Sequence, residues 1–485
     1  MAKNTPMYVC SKCGKQSIPK LTICPNPLCR ELDSFVLKTD VNNPTKKTAH
    51  IGASKAFGVQ ASKVHHINDV SASDTARIDT SIGEFNRVLG GGLVPGSVVL
   101  LGGEPGQGKS TLTLDAAARM SHYMKVLYVS AEESEGQIKG RADRLQGSFG
   151  ELYMVFESDL ETIMEAHIPY TQPELVIIDS LHTVSSSVND GAPRSAKQLL
   201  YCLDRFRQYA KSNNVPFIII GQVTKDGDIA GSNALSHDVD AVLYLEGDKQ
   251  LLFRLLRCEK NRFGNIGEVG VFEMTSKGLI EVSNPSEAFL AERAFNKPGS
   301  AVAVTMEGNR PILVEVQALT SNAAGTASRR ASGLDNERLH IVTTVLDKHI
   351  LYMPIGEQNV LASAVGGMRV YEPAADLALA TALTSSYHNK PTPADIIAIG
   401  EIGLTGEVRN VPHLVYRLRE AVKLGFKRAV VPPMTRELDI PEGIQLIRAA
   451  TLDEAMRAIF QGKIAFDAQR PTRANGQRTR HNDDD

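Results

Sequence analysis

At 485 residues and 52.6 kDa the chain has room for two to four domains of roughly 100 to 200 residues, and no apolar run approaches the ~20 residues of a membrane span, which excludes a helical membrane protein and leaves a soluble, globular class. With 53 basic against 55 acidic side chains the net charge is −2, so any nucleic-acid surface is local, not global. The opening MAKNTPMYVC lacks the apolar core of a secretory signal, so a cytoplasmic location with reduced thiols is expected.

Four of the six cysteines come first, as Cys10-Ser-Lys-Cys13 and Cys24-Pro-Asn-Pro-Leu-Cys29. Thiolates suit zinc, and a segment of about 40 residues is too short to bury a core unaided, so a metal would supply its folding free energy. With all four positions filled by protein the ion has no open site, and its role is structural. Reduced, unliganded thiols and an iron–sulfur site are the alternatives. Residues 1–38 are thus expected to form a zinc finger. Cys202 and Cys258 stand alone in apolar contexts and read as small core residues.

Residues 39–76 are rich in Asn, Ser, Lys and Ala, carry Lys46, Lys47, Lys55 and Lys63, and read as a mobile basic linker. From 77 to 285, short apolar runs alternate with helical patterns: Val98 to Leu101, Val126 to Val129, Leu152 to Phe156, Leu175 to Ile178 and Phe217 to Ile220. That alternation predicts an α/β domain with a buried parallel sheet. Leu199, Leu200, Leu203, Phe206 and Ala210 mark a helix whose apolar stripe is core.

Directly after the first of these strands comes Gly103-Glu104-Pro105-Gly106-Gln107-Gly108-Lys109-Ser110-Thr111, followed by a helical pattern. This is the Walker A spacing in its required strand-to-helix context. Glycines let backbone N–H groups turn toward one anion, the helix aims its positive end there, Lys109 reaches the β and γ phosphates of ATP, and the Ser110 hydroxyl can ligate magnesium. The strand LVIID ends in Asp179, the expected second magnesium residue, with a helix-capping role as the alternative. VLYVS ends in Ala131-Glu132-Glu133-Ser134; Glu132 is expected to polarise the attacking water, with Glu133 or a plain helix start as alternatives. The strand Phe217 to Ile220 leads to Gly221-Gln222, where Gln222 could sense the γ phosphate.

Further on, LTSNAAGTASRRASG from Leu319 to Gly333 reads as an exposed loop. From Leu339 a mixed pattern runs to about Ala465, with strand-like DIIAIGEIGL and AVVPP and a helix through Arg417 to Leu424. Residues 286–465 are expected to form a second α/β domain. Residues 466–485 are expected to be a disordered Arg-rich tail, with phosphate tracking as the alternative. His349, His388 and His413 show no metal-ligand spacing.

RVLGGGLVPGSVVLLGGEPGQGKST, YVSAEES, LVIIDS, GQVTKDGDIAG and above all Lys260-Asn261-Arg262-Phe263-Gly264 resemble the RadA/Sms family of bacterial recombination proteins over nearly the whole chain. The resemblance implies a four-cysteine zinc finger, a RecA-like ATPase and a domain similar to the Lon protease domain. It also implies a homo-hexameric ring that binds single-stranded DNA, uses ATP to drive branch migration of recombination intermediates, and works with a RecA-type recombinase. Gly103 to Thr111 would bind nucleotide, Asp179 would serve magnesium, and Glu132 would be the catalytic glutamate. Lys260 and Arg262 match the family's signature motif and would reach the neighbouring subunit's ATP or couple it to DNA; without the resemblance, the same stretch also reads as a solvated turn. Lys225, Lys260 and Arg262 are the DNA-contact candidates, with the loops after Asp179 and Gln222 and the basic linker. Two features depart from the family: the second cysteine pair has four intervening residues, and the chain has no Trp.

VGGMRVYEPAADLALATALTSSYHNKPTPADIIAIGEIGLTGEVRNV resembles the Lon proteolytic fold over roughly 130 residues. Lon proteases carry a nucleophilic Ser and a Lys base, whereas the matching stretch Glu372-Pro373-Ala374-Ala375-Asp376 holds Ala374, with no hydroxyl, and near the expected Lys stands Arg417, which stays protonated. Peptide hydrolysis is therefore expected to be absent. That leaves a DNA motor, or a RecA-like signalling ATPase acting on protein partners, and argues against an ATP-dependent peptidase.

Overall fold

A computed structural model of the chain describes residues 8–10, 12–13, 15–18, 21–26, 29 and 35–37, and residues 76–464 except 146–147, 222–231, 248–251, 294, 351–352 and 435–437. The basic linker up to residue 75, the Arg-rich tail, Gln222 and Lys225 lie outside these residues. The chain divides into two compact units, residues 1–72 and 73–485.

In the first unit, β1 (Tyr8–Cys10) pairs antiparallel with β2 (Gln16–Ser17) on one side and β3 (Phe35–Leu37) on the other. Cys10 and Cys24 are buried and pack with Tyr8, Leu21 and Cys29. So small an apolar cluster cannot stabilise a fold by itself, which is the condition under which a bound metal stabilises one.

The second unit begins with the short helix α1 (Gly83–Leu89) and a nine-stranded sheet. Its strands are β4 (Val98–Gly102), β5 (Val126–Ser130), β6 (Leu152–Phe156), β7 (Leu175–Asp179), β8 (Phe217–Ile220), β9 (Ala241–Glu246), β10 (Phe253–Asn261), β11 (Val269–Thr275) and β12 (Gly278–Glu281). Their order is β12-β11-β10-β9-β4-β8-β7-β5-β6. The six strands from β9 to β6 run parallel and β10 to β12 antiparallel. The central strands VVLLG, VLYVS, LVIID and FIII are buried throughout, as strands covered on both faces must be. α2 (Lys109–Met120), rich in Ala and Leu, covers one face with Leu112, Leu114, Ala116 and Met120; the helix Ala196–Asn213 covers the other with Leu199, Leu203 and Phe206. Cys202 and Cys258 are buried in these two layers.

The remaining domain holds a four-stranded sheet of β13 (Ser300–Glu307), β14 (Arg310–Asn322), β15 (Arg329–Ser332) and β16 (Gln358–Ala364), in the order β13-β14-β16-β15. A parallel sheet of β17 (Ile396–Ala398), β20 (Arg428–Val431) and β21 (Gln445–Arg448), and the hairpin β18 (Glu401–Ile402) with β19 (Val408–Arg409), complete it. The helix Asp376–Tyr387 is buried over its first ten residues.

Two expectations are corrected here. Leu319 to Gly333 is not a loop: its ends are strand, Leu319–Asn322 closing β14 and Arg329–Ser332 forming β15, which pairs parallel with β16. β15 is an edge strand of small and charged residues with alternating exposure, so it lacks the apolar signal that marks buried strands. DIIAIGEIGL is not one strand but two, in different sheets, broken at Gly400. Gly400 N–H donates to Ala374 O at 3.1 Å and its carbonyl accepts from Leu377 N–H at 3.1 Å, which pulls the backbone out of the first sheet.

Candidate functional site

The loop between β4 and α2 wraps a point at the sheet's C-terminal edge, where a parallel α/β fold binds ligands. Gly103 has φ 139° and a Cβ there would lie 2.3 Å from Leu245 O, so the loop passes β9 only as glycine. Gly106 and Gly108 are also left-handed, and α2 starts with its free N–H groups facing the loop. Lys109 is buried, its Nζ donating to Gly103 O at 2.6 Å and Glu104 O at 2.9 Å. Burial lowers its pKa, while Asp179, Glu132 and Glu104 act to hold the charge. Gln107 is buried and its Nε2 donates to Gly247 O at 2.9 Å, tying the loop to the end of β9. Glu104, Pro105 and Gly106 are exposed; Ser110 and Thr111 are half-buried at the start of the helix.

The register of β5 and β7 sets Ser130 beside Asp179 and Tyr128 beside Ile177. Because side chains alternate, Tyr128 and Asp179 share the sheet face that α2 covers. Tyr128 OH donates to Asp179 Oδ2 at 2.6 Å. Burial raises the Asp179 pKa, and the hydrogen bonds from the Tyr128 and Ser110 hydroxyls pull it back down. Burial likewise pushes the Tyr128 phenol well above its ordinary value, so it stays a donor.

The two adjacent glutamates diverge. Glu132 is exposed and its Oε1 accepts from Ser180 Oγ at 2.8 Å, within the field of Lys109. Glu133 turns the other way, its Oε1 accepting from Arg141 Nη2 at 2.6 Å, just before the Ser134 capping box that starts the helix Glu135–Arg144. Lys109, Ser110, Glu132 and Asp179 therefore gather at one edge. Gly221 N–H donates to Leu101 O at 3.0 Å and brings the end of β8 there too.

Lys260 and Arg262 do not join this group. Lys260 and Asn261 stand opposite Val242 and Ala241, at the start of β9, whereas the phosphate loop follows the end of β4. Five residues at about 3.3 Å each separate the two edges by roughly 16 Å of strand. Lys260 Nζ donates to Ser236 O and His237 O, both at 2.8 Å, at the end of the helix Ser232–Asp238. Arg262 Nη1 donates to Asp240 Oδ1 at 3.2 Å, and Asp240 Oδ2 accepts from Val98 N–H at 3.1 Å. Asn261 Nδ2 donates to Leu89 O at 3.1 Å, and Arg77 donates to Phe263 O, so the motif is braced from both sides.

At the N-terminus the four Sγ atoms of Cys10, Cys13, Cys24 and Cys29 all lie within 4.8 Å of one another, with Cys10–Cys29 at 3.9 Å and Cys13–Cys24 at 3.4 Å. Four sulfurs about 2.3 Å from a tetrahedral zinc stand about 3.8 Å apart. The cluster fits that ion, despite the longer second cysteine spacing.

In the C-terminal domain, Ala374 sits buried on the turn Pro373–Ala375. Arg417 is fully buried and pairs with Glu372, while also donating to Pro412 O and Val304 O. Neither a hydroxyl nor a neutral base stands at these two positions.

Sequence reasoning missed Tyr128, Ser180 and Arg141 around the carboxylates. For Tyr128 a signal existed: two residues before Ser130 on a strand, it shares that residue's face.

A model of the AAA domain matches residues 64–228 and one of the subunit ChlI of Mg-chelatase matches residues 353–435. The DNA repair protein RadA of Streptococcus pyogenes serotype M6 is 42% identical over 462 residues, covering 95% of this chain and 100% of the relative. That of Listeria monocytogenes serovar 1/2a is 43% identical over 463 residues, 94% of this chain and 98% of the relative. That of Bacillus subtilis (strain 168) is 42% identical over 467 residues, 95% of this chain and 100% of the relative.

Proposed function

The chain belongs to the RadA family, and on that premise we propose that it is an ATP-hydrolysing DNA repair protein, a homo-hexameric ring that binds single-stranded DNA and drives branch migration of recombination intermediates beside a RecA-type recombinase. The observation that supports a ring is the separation of charges on the central sheet. Lys109, Ser110, Glu132 and Asp179 share one edge, and Lys260 and Arg262 share the other. A cation that is to stabilise a transferring phosphoryl group must touch it. Lys260 and Arg262 stand a strand's length from their own chain's loop, so they can serve an adjacent protomer's nucleotide.

In this reading the loop amides from Gly103 to Thr111 bind the phosphates, and Lys109 moves from its two loop carbonyls onto the β and γ oxygens. Ser110 and Asp179 would hold magnesium, which when bound neutralises phosphate charge. Glu132, held by Ser180, orients the attacking water and accepts its proton. Zinc, held by Cys10, Cys13, Cys24 and Cys29, folds the finger. Lys225 and the loops after Asp179 and Gln222 track DNA phosphates without reading sequence.

The test is ATP turnover with and without single-stranded DNA over a range of salt, together with a three-strand branch migration assay. Stimulated turnover and ATP-dependent migration are expected. Turnover indifferent to DNA, or migration that proceeds equally without ATP, overturns the reading.

A further inference from the structure

Tyr128 has no task in the mechanism above, yet among the described residues it is the second largest of the fully buried side chains. It lies in the apolar layer with Leu112, Val126, Ile177 and Ile218. A phenol in such surroundings needs a partner for its O–H, and an unmet one is costly. Here the partner is Asp179 Oδ2, at 2.6 Å. A short bond from a neutral donor to a carboxylate is the strong, orienting kind. The phenol also has Thr113 of α2 within hydrogen-bonding reach, and Thr113 Oγ1 lies 3.1 Å from Lys109 O. The ring is fixed by packing, so the hydroxyl is a fixed point from which the carboxylate is hung. Ser110, the other residue expected at the metal, lies close enough for its hydroxyl to lower the pKa of the Asp179 carboxyl.

We infer that Tyr128 is a positioning residue for magnesium, its hydroxyl holding the Asp179 carboxylate in the orientation that lets it act together with Ser110. The inference rests on the reading of Asp179 as the magnesium carboxylate. In this role Tyr128 acts through Asp179. Groups that orient a metal's ligands are worth about 10- to 100-fold in metal affinity.

The test uses the full-length chain and a fluorescent ATP analogue, titrated in magnesium and in EDTA, for the wild type, Tyr128→Phe and Asp179→Asn. The wild type should bind more tightly in magnesium. Tyr128→Phe should lose about 10-fold or more of that tightening, while its affinity in EDTA stays at the wild-type value and its unfolding stays cooperative, with a thermal midpoint lowered only by the loss of one buried hydrogen bond. A Tyr128→Phe variant that keeps the magnesium effect while Asp179→Asn loses it overturns the inference and leaves the reading of Asp179 standing. Equal losses in both buffers, from misfolding or slackened packing, also overturn it. A wild type whose affinity ignores magnesium removes the reading and the inference together.

Discussion

Arg417 and Glu372 form a two-pronged ion pair within the C-terminal domain, Nη1 to Oε1 and Nη2 to Oε2, both at 2.7 Å. Glu372 Oε1 also accepts from Met306 N–H at 2.7 Å, and Arg417 Nε donates to Pro412 O at 3.1 Å. The guanidinium thus joins the helix Leu414–Lys423 to β13 and to the turn that carries Ala374. Arg417 is thus a structural clamp within this domain.

Removing one partner of a buried pair leaves the other uncompensated, at a cost of about 3–5 kcal/mol. Arg417→Ala should destabilise the second unit by that order in urea unfolding. Arg417→Lys should also be costly, since an ammonium cannot make the fork contact. A loss under about 1 kcal/mol for Arg417→Ala would remove the clamp from the account.

The same pair bears on peptidase activity. Combining Ala374→Ser with Arg417→Lys introduces a serine and a lysine here, but Glu372 remains, and a lysine paired with a carboxylate stays protonated and cannot take the serine proton. No casein hydrolysis is expected above background. Measurable hydrolysis would show that Glu372 does not govern the site.

Arg338 and Asp376 give a pH-dependent case. Burial raises the Asp376 carboxyl from 3.8 to about 6, outweighing the hydrogen bonds from Arg338 and Ile402 N–H. A carboxyl raised in the folded state binds its proton more tightly there, so its contribution is full below pH 3.8 and is lost as pH rises through about 6. Arg338→Ala strips the partner from this carboxylate. The variant should therefore be hurt more at pH 8 than at pH 5, where Asp376 can take up a proton. Thermal midpoints of both proteins at the two pH values check this, and a deficit independent of pH contradicts it.

What could be read in the sequence divides along physical lines. Four of the six parallel strands, β4, β5, β7 and β8, were legible because a strand buried on both faces is a continuous apolar run, β6 because it is apolar although partly exposed at the sheet edge, and the phosphate loop because it is a local motif with fixed spacing. Pairings across long sequence separations were not. Glu84 is buried in α1 and meets Arg310 of β14, 226 residues away, joining the ATPase sheet to the C-terminal domain. Nothing in a single sequence marks that pair. Arg257 of β10 likewise bridges Glu246 and Glu307. β15 was hidden for another reason: half-exposed edge strands built of Arg, Ala and Ser resemble loops in composition.

The finger offers a prediction that depends on metal alone. Cys10 and Cys24 are buried in a cluster too small to fold unaided. One zinc per chain is expected, and replacing Cys10 and Cys13 by Ser should abolish it, since two thiolates cannot close a tetrahedron. Treating the wild type with a chelator should make the first 37 residues sensitive to protease while the second unit resists. Unchanged metal content in the double variant would refute the assignment of these ligands.

The last prediction separates the two edges of the ATPase sheet. Lys109→Ala removes the cation buried in the phosphate loop and should weaken nucleotide binding or hydrolysis in every condition. Lys260→Ala acts at the far edge, where it loses only contacts to Ser236 O and His237 O, so ATP binding by the isolated chain should stay at wild-type strength. Its defect should surface only when protomers cooperate: DNA-stimulated turnover and branch migration should fall. Removing a cation that acts in trans typically costs about 10³-fold or more in turnover. Mixing the two variants discriminates further, because a ring holding intact loops from one and intact Lys260 from the other can form some complete interfaces. Partial recovery of turnover in the mixture is expected. Lys260→Ala protein with unchanged branch migration, or a mixture no more active than its parts, would exclude Lys260 from the interface between protomers.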